Sequence, residues 1–340
     1  LQSGDPDVKA TWARARAVSV ESVRVTAAAL GAHFDLFLGE SDAAPHVPGL
    51  LSDLERSGHL YASDGALVVP GPEGSPPVML AKSDGALTYA ATDLATLRQR
   101  VAAGASRLVY CADVRQSLHF AGVFHVARVA GLAEGVQMDF AGFGTVNGPD
   151  GKPYKTRDGG VALLETLLEA ARARARSRMG GADADGISPK LALAAVKFAD
   201  LSSPRETGYV FDLDRMTAPE GRTGPYLLYA AARIRSIVAK SGRGPSVGAY
   251  PSCEHEAERA LALECLSYPD AVSKAAERLE PREVADKLYA VARAFSRFYA
   301  ACPVVTPDGP DLGRLALCSL AGSVLASGLR LLGIEEPERM

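Results

Sequence analysis

RLVYCADVRQSLHFAGVFHVARVAGLAEGVQMDFAGF, residues 107–143, decides the fold. Residues 107–111 read as a buried strand and residues 137–143 as another strand. Between them, residues 116–130 repeat apolar side chains at helical spacing. Strand, helix, strand is the pattern of a parallel crossover unit, since parallel strands need such a connection whereas antiparallel strands can be joined by a tight turn. The stretch therefore predicts a parallel sheet with a crossover helix. In open sheets of this type, ligands sit beyond the carboxyl ends of the strands.

Upstream, residues 8–30 have a helical period, and residues 34–38 read as a short apolar strand ending in Gly39-Glu40-Ser41. Two SDGAL segments, at 63–67 and 83–87, place Asp-Gly between apolar runs, the strongest short hairpin signal. Residues 93–101 read as a helix. Downstream lies GPDGKPYKTRDGG, 148–160, which gathers Lys152, Lys155 and Arg157 on a Gly/Pro-rich loop ahead of an expected helix at 161–178. Such a loop suits an anion near a helix N-terminus, where free N–H groups and the dipole add to the attraction. Taken alone, the loop reads more simply as a solvated basic turn. ADADGI, 182–187, forms a break, after which helices are expected at 190–199, 224–241, 253–268, 270–279, 282–300 and 313–332. The predicted organisation is an α/β part, residues 1–182, followed by an all-α bundle, residues 183–340.

Composition narrows the function. The 340 residues are 47% apolar and 23% charged, as in ordinary globular proteins. Apolar runs such as 191–196 are too short to span a bilayer. Five scattered cysteines without a C-x-x-C argue against a zinc site or a disulfide framework and for reduced thiols in the cytoplasm. A net charge of −3 gives no global pull on nucleic acid, so any such contact needs a local basic face.

If the sheet is parallel, Glu40, Asp113 and Gln116 converge at one edge of it. Tyr89 and Asp93, four residues apart, share a helical face. Carboxylates, a phenol and an amide suit a planar cation with several N–H donors, such as guanidinium. Taken singly, each has a plainer role: Asp93 as a helix N-cap, Glu40 as a solvated strand end, Gln116 as a helix N-terminal residue.

FDLFLGES (34–41), LAKSDGALTYAATDLA (80–95), YCADVRQSLHFAGVFHVARVAG (110–131) and FGTVNGPDGKPYKTRDGG (143–160) resemble consecutive stretches of arginyl-tRNA synthetase catalytic domains. Residues 200–240, 279–304 and 331–340 resemble that family's helical anticodon-binding domain. The resemblance implies the second half of a Rossmann-type nucleotide-binding catalytic domain followed by that helical bundle. It further implies a class I aminoacyl-tRNA synthetase that activates arginine with ATP and Mg²⁺ and passes it to tRNA(Arg), as a cytoplasmic monomer without a tightly bound metal. Carried over by position, Glu40, Tyr89, Asp93 and Gln116 bind arginine. Phe143, Gly144, Lys155 and Thr156 bind ATP, and Lys155 and Arg157 act catalytically as the family's version of the KMSKS loop. Gly221, Arg222, Thr223, Tyr226, Tyr229 and Arg233 contact tRNA, with arginine on phosphates and tyrosine stacked on unpaired bases. Tyr289, Phe295, Phe298 and Tyr299, at helical spacing, read instead as core.

The chain also departs from the family pattern. Its six histidines form no His-x-Gly-His. Phe140 stands where many members carry histidine, Leu228 replaces a usual glutamine, and Ala231 a bulkier residue. The expectation is an N-terminally truncated synthetase lacking part of the ATP site, with the chain alone unable to catalyse arginine-dependent pyrophosphate exchange. A repurposed paralogue acting on an arginine-like substrate and a non-catalytic RNA-binding module stay open as alternatives.

Overall fold

The computed structural model describes residues 5–154, 164–179, 184–242, 251–307 and 309–337. The chain forms two compact units, one of residues 34–144 and one that joins residues 1–33 to residues 145–340. The expected break at 182/183 lies outside the described residues. Helix α1, Pro6–Ala29, opens the second of these units; Asp5 caps it by accepting from the amides of Asp7 and Val8, and it buries none of its residues.

In the unit of residues 34–144, residues 34–38 do not form the expected strand. Strand structure needs a hydrogen-bonded partner, and among the described residues none pairs with this segment. Phe34 and Phe37 instead pack edge-on, 5.9 Å apart, while Leu36 and Leu38 are exposed. Helices α2 (Glu40–Ala43) and α3 (Val47–Arg56) follow, and α3 turns Val47, Leu50 and Leu54 inward. Strands β1 (Tyr61–Ser63), β2 (Ala66–Val69) and β3 (Val78–Ala81) make an antiparallel sheet in the order β1-β2-β3. The first SDGAL is its hairpin turn: Asp64 and Gly65 have φ of 49° and 77°, the double left-handed conformation of a type I′ turn. The second also turns, with the Gly85 amide on the Lys82 carbonyl (2.9 Å) and a bridge from Ala81 to Leu87.

Helix α4, Tyr89–Ala102, packs on β3, and its start is tied there because the Thr88 hydroxyl donates to the carbonyl of Met79 (2.6 Å). Strand β4 (Arg107–Asp113), helix α5 (Ser117–Val129) and strand β5 (Gln137–Phe143) form the expected unit, with β4 and β5 parallel from Arg107↔Gln137 to Asp113↔Phe143. Leu80, Leu94, Leu97, Val123 and Val126 are fully buried in this unit's core.

Past residue 144, β6 (Val146–Asn147) pairs in parallel with β7 (Tyr209–Val210). Helices α6 (Leu164–Arg178) and α7 (Ala184–Leu201) pack together, and short α8 (Leu213–Met216) leads into α9 (Gly224–Lys240). Helices α10 (Glu256–Leu266), α11 (Tyr268–Arg278), α12 (Arg282–Ala301) and α13 (Leu312–Leu331) complete the bundle. In α12, Val284, Leu288, Val291, Phe295 and Phe298 follow helical spacing and are buried, so the amphipathic stripe sets which face enters the core. Helix α13 is long and apolar enough to cross a membrane by length and composition. In the bundle it packs against α9, α10 and α12, burying Leu315, Leu317, Leu325 and Leu329. Gly224 permits the close approach of α9 to the Ala194 carbonyl on α7, where a Cβ would collide with backbone.

Candidate functional site

In the unit of residues 34–144, the acidic and amide residues lie on neighbouring elements. Tyr89 is the first residue of α4 and is 70% exposed; Asp93 follows one turn later on the same face. Thr88, not Asp93, occupies the N-cap, so Asp93 has no capping duty. Its Oδ2 lies 2.6 Å from Nε2 of His119 on α5, and both side chains are 31% exposed. Gln116, exposed at the N-cap of α5, stands one turn before His119. The facing helices α4 and α5 therefore bring Tyr89, Asp93 and the Gln116 turn to one region, with His119 as the link.

Glu40 arrives differently from expectation. It begins the short helix α2, which packs on α4, rather than ending a strand of a parallel sheet. Asp113, at the carboxyl end of β4, is already occupied: its carboxylate accepts from the Arg115 amide (2.9 Å) and from that residue's Nε (2.8 Å) and Nη2 (2.6 Å). These bonds hold the Asp113 carboxyl down at about 2. A ligand cation would have to displace an arginine to reach it.

Phe143, half exposed, is the last residue of β5, and Gly144 ends this unit just beyond it. The Phe140 ring stacks on Phe120 at 5.2 Å, within a cluster that includes Tyr110 and Phe124. A Cβ on Gly142 would sit 2.8 Å from the Phe140 ring and 3.2 Å from Val114 Cα, so glycine lets the end of β5 approach the turn after β4. The start of the basic loop is a tight turn. The Gly148 amide donates to the Lys152 carbonyl (2.8 Å), Gly151 has φ of 76°, and Lys152 is exposed. Lys155, Thr156 and Arg157 lie outside the described residues.

The helical unit holds a groove of about 1070 Å³ on α9 and α12, lined among others by Tyr226, Tyr229, Arg233, Lys240 and Tyr299. Tyr226 packs edge-on against Tyr289 (5.7 Å), and its hydroxyl lies 3.1 Å from Ser296 Oγ. Arg233 sits over the Tyr299 ring at 5.8 Å, a cation–π distance. Tyr299 stacks on Phe295 but is 44% exposed, so it is a wall of this groove rather than the core residue its spacing suggested. Phe295 and Phe298 are fully buried, and Leu228 and Ala231 are buried in α9.

The loop before α9 is held by its own side chains. The Thr223 side chain accepts from the Tyr226 amide (3.2 Å) and donates to the Ala218 carbonyl (2.7 Å), and the residue is 5% exposed. That hydroxyl is consumed in capping α9. Arg222 donates to the Ser202 carbonyl (2.8 Å) and pairs with Asp286, while Gly221 serves the turn with φ of 86°. Among the described residues, no three His, Cys, Asp or Glu side chains gather closely enough to hold a metal ion.

Comparison with known proteins matches these elements to a family. The model for the class I tRNA synthetase (R) catalytic domain matches residues 1–213, and that for the DALR anticodon-binding domain matches residues 227–340. The chain is 41% identical to the arginine–tRNA ligase of Hyphomonas neptunium and 42% to that of Frankia casuarinae. Each alignment takes in 100% of this chain and 61% of the relative, so the chain spans about three fifths of the relatives' length. Its fold superposes on arginyl-tRNA synthetase of Plasmodium falciparum with a TM-score of 0.89 at 26% identity, covering 100% of this chain and 60% of that one. On the Thermus thermophilus enzyme the TM-score is 0.79 at 30% identity, over 93% and 62%.

Proposed function

Since the chain belongs to the class I arginyl-tRNA synthetase family, we propose that it carries the arginine-binding and anticodon-binding parts of an arginine–tRNA ligase. The observation that supports this most directly is the arrangement on α4 and α5. Exposed Tyr89 and part-exposed Asp93 stand one turn apart, beside the start of the helix that follows Gln116. A carboxylate and a phenol on one face can take a guanidinium by parallel N–H···O bonds, which an ammonium cannot reproduce. Glu40, on the helix that packs against α4, supplies a further acid.

The chemistry follows from that binding. The arginine carboxylate attacks the α-phosphorus of ATP, forming arginyl-adenylate and releasing pyrophosphate; the arginyl group then passes to the terminal ribose of tRNA(Arg). Lys155 and Arg157 neutralise charge as pyrophosphate separates, a contribution of ~3 kcal/mol for a contact made mainly in the transition state. Phe143, Gly144 and Thr156 complete the nucleotide contacts, and Mg²⁺ accompanies ATP. The catalytic part is residues 1–182 and the anticodon-binding part residues 183–340, although the two family models meet between 213 and 227. The groove of Tyr226, Tyr229 and Arg233 receives unpaired anticodon-loop bases by stacking, with Lys240 near its rim for phosphate. We read the protein as a monomer working in the cytoplasm, a reducing compartment in which five unpaired thiols fit.

The test is arginine-dependent exchange of pyrophosphate into ATP, measured on the natural protein that carries this chain. Exchange that requires arginine, and that Asp93→Ala abolishes at low arginine, supports the reading. Exchange supported by other amino acids and indifferent to Asp93 would refute it.

A further inference from the structure

The reading of Asp93 as a guanidinium ligand leaves one question of geometry: what fixes the carboxylate plane. A helical aspartate has two free torsions, and a planar, bidentate partner is recognised only when both oxygens face it. We propose that His119 is a positioning residue for arginine recognition, holding Asp93 through Nε2 so that its carboxylate is presented to the guanidinium in one orientation; this rests on the arginine-site reading above.

Three observations carry it. The Asp93 Oδ2–His119 Nε2 separation is 2.6 Å, a direct side-chain link between α4 and α5 at the candidate site. Because an ionised carboxylate only accepts, Nε2 carries the hydrogen and donates. The imidazole is itself held: it meets Phe120 edge-on at 5.1 Å and 80°, and Phe120 packs on Tyr110 and Phe140. Finally, the pair is one-third exposed on both sides, so a ligand reaches it without a buried pair being broken. A carboxylate offers about four acceptor positions. His119 uses one on Oδ2, and Oδ1 with the remaining lone pair of Oδ2 can still receive a fork of two N–H donors. Fixing the torsions before binding removes an ordering cost that would otherwise be charged to affinity.

The experiment compares His119→Phe, His119→Gln and Asp93→Asn, singly and combined, in the natural protein. The readouts are arginine KM and kcat in pyrophosphate exchange and a thermal melt of each variant. His119→Phe keeps an aromatic ring against Phe120 but removes the donor; arginine KM should rise about tenfold or more, the loss expected for one charge-assisted hydrogen bond, with kcat at saturating arginine nearly unchanged. His119→Gln can place an N–H donor near the position of Nε2 and should restore most of the affinity. In the Asp93→Asn background, His119→Phe should add little further loss, because the carboxylate it orients for a bidentate contact is gone. Equal KM increases for His119→Phe and His119→Gln would overturn the inference, as would an unchanged KM in His119→Phe beside a raised KM in Asp93→Asn; in that second case the arginine site stands and only the positioning role falls. An unchanged KM in Asp93→Asn would remove the site and the inference together.

Discussion

Asp93 bears the most direct prediction. In the natural protein, Asp93→Ala should raise the arginine KM by roughly 30- to 1,000-fold, the equivalent of losing a charged hydrogen bond worth ~2–4 kcal/mol. An unchanged KM would assign the carboxylate a structural role with His119. In the basic loop the expectation divides by residue. Lys155→Ala should lower kcat by ~100-fold with little change in arginine KM, since its charge is needed as pyrophosphate leaves. Lys152, exposed on the Gly148–Lys152 turn, should tolerate alanine with the small effect of a screened surface charge. Equal losses from the two substitutions would reduce the loop to a diffuse positive patch. Tyr89 and Asp93 could be read from their spacing because a helix places residues four apart on one face. His119 could not. Its partner lies 26 positions away on another helix, and only the packing of α4 on α5 discloses the pair. The one hint was its position three residues after Gln116, on the same face of α5.

Helices and hairpins were legible because each carries its own signal. Asp64-Gly65 dictates its turn by backbone conformation, and the stripe of α12 dictates its buried face. The segment 34–38 was not legible, because an apolar run becomes a strand only beside a partner, and none of the described strands is beside it. Neither was the true start of α10, which His255 caps through Nδ1 on the Ala257 amide (3.1 Å), a role that histidine's composition does not advertise. Thr223 is a more conventional cap with a second duty, since its hydroxyl also donates to Ala218. Thr223→Ala should therefore destabilise the helical unit by about 1–2 kcal/mol, and Thr223→Ser should recover most of it, as measured by urea unfolding. Gly224→Ala next door should cost at least as much for a different reason, because the added methyl meets the Ala194 carbonyl and must part α9 from α7. Full stability in Gly224→Ala would mean that these helices adjust freely at their crossing.

Across the whole chain, the buried ionisable groups set how stability depends on alkali. Burial pushes the Cys265 and Cys318 thiols up from about 9 to about 12, and raises the Tyr209 phenol further, with Asp200 beside it. Between those limits the native state keeps protons that the unfolded chain has lost. Stability is thus undiminished below about pH 9 and falls as the pH rises toward 12. Melts followed by circular dichroism under reducing conditions should show that decline, and Cys318→Ala should make it shallower; a flat profile over that window would contradict the burial of these groups. Thiol reagents should find exposed Cys111 well before Cys265, Cys302 or Cys318. The choice of optical probe matters to any such measurement. The chain has one tryptophan, Trp12, with Arg16 held 5.8 Å from its ring, and it stands on α1, the helix that buries no residue. Its emission consequently reports the fraying of a solvated helix, while the cores elsewhere in the chain can unfold with the indole barely registering it. A fluorescence-detected transition should fall below the one seen by circular dichroism, and that offset would separate the loss of α1 from the loss of the core.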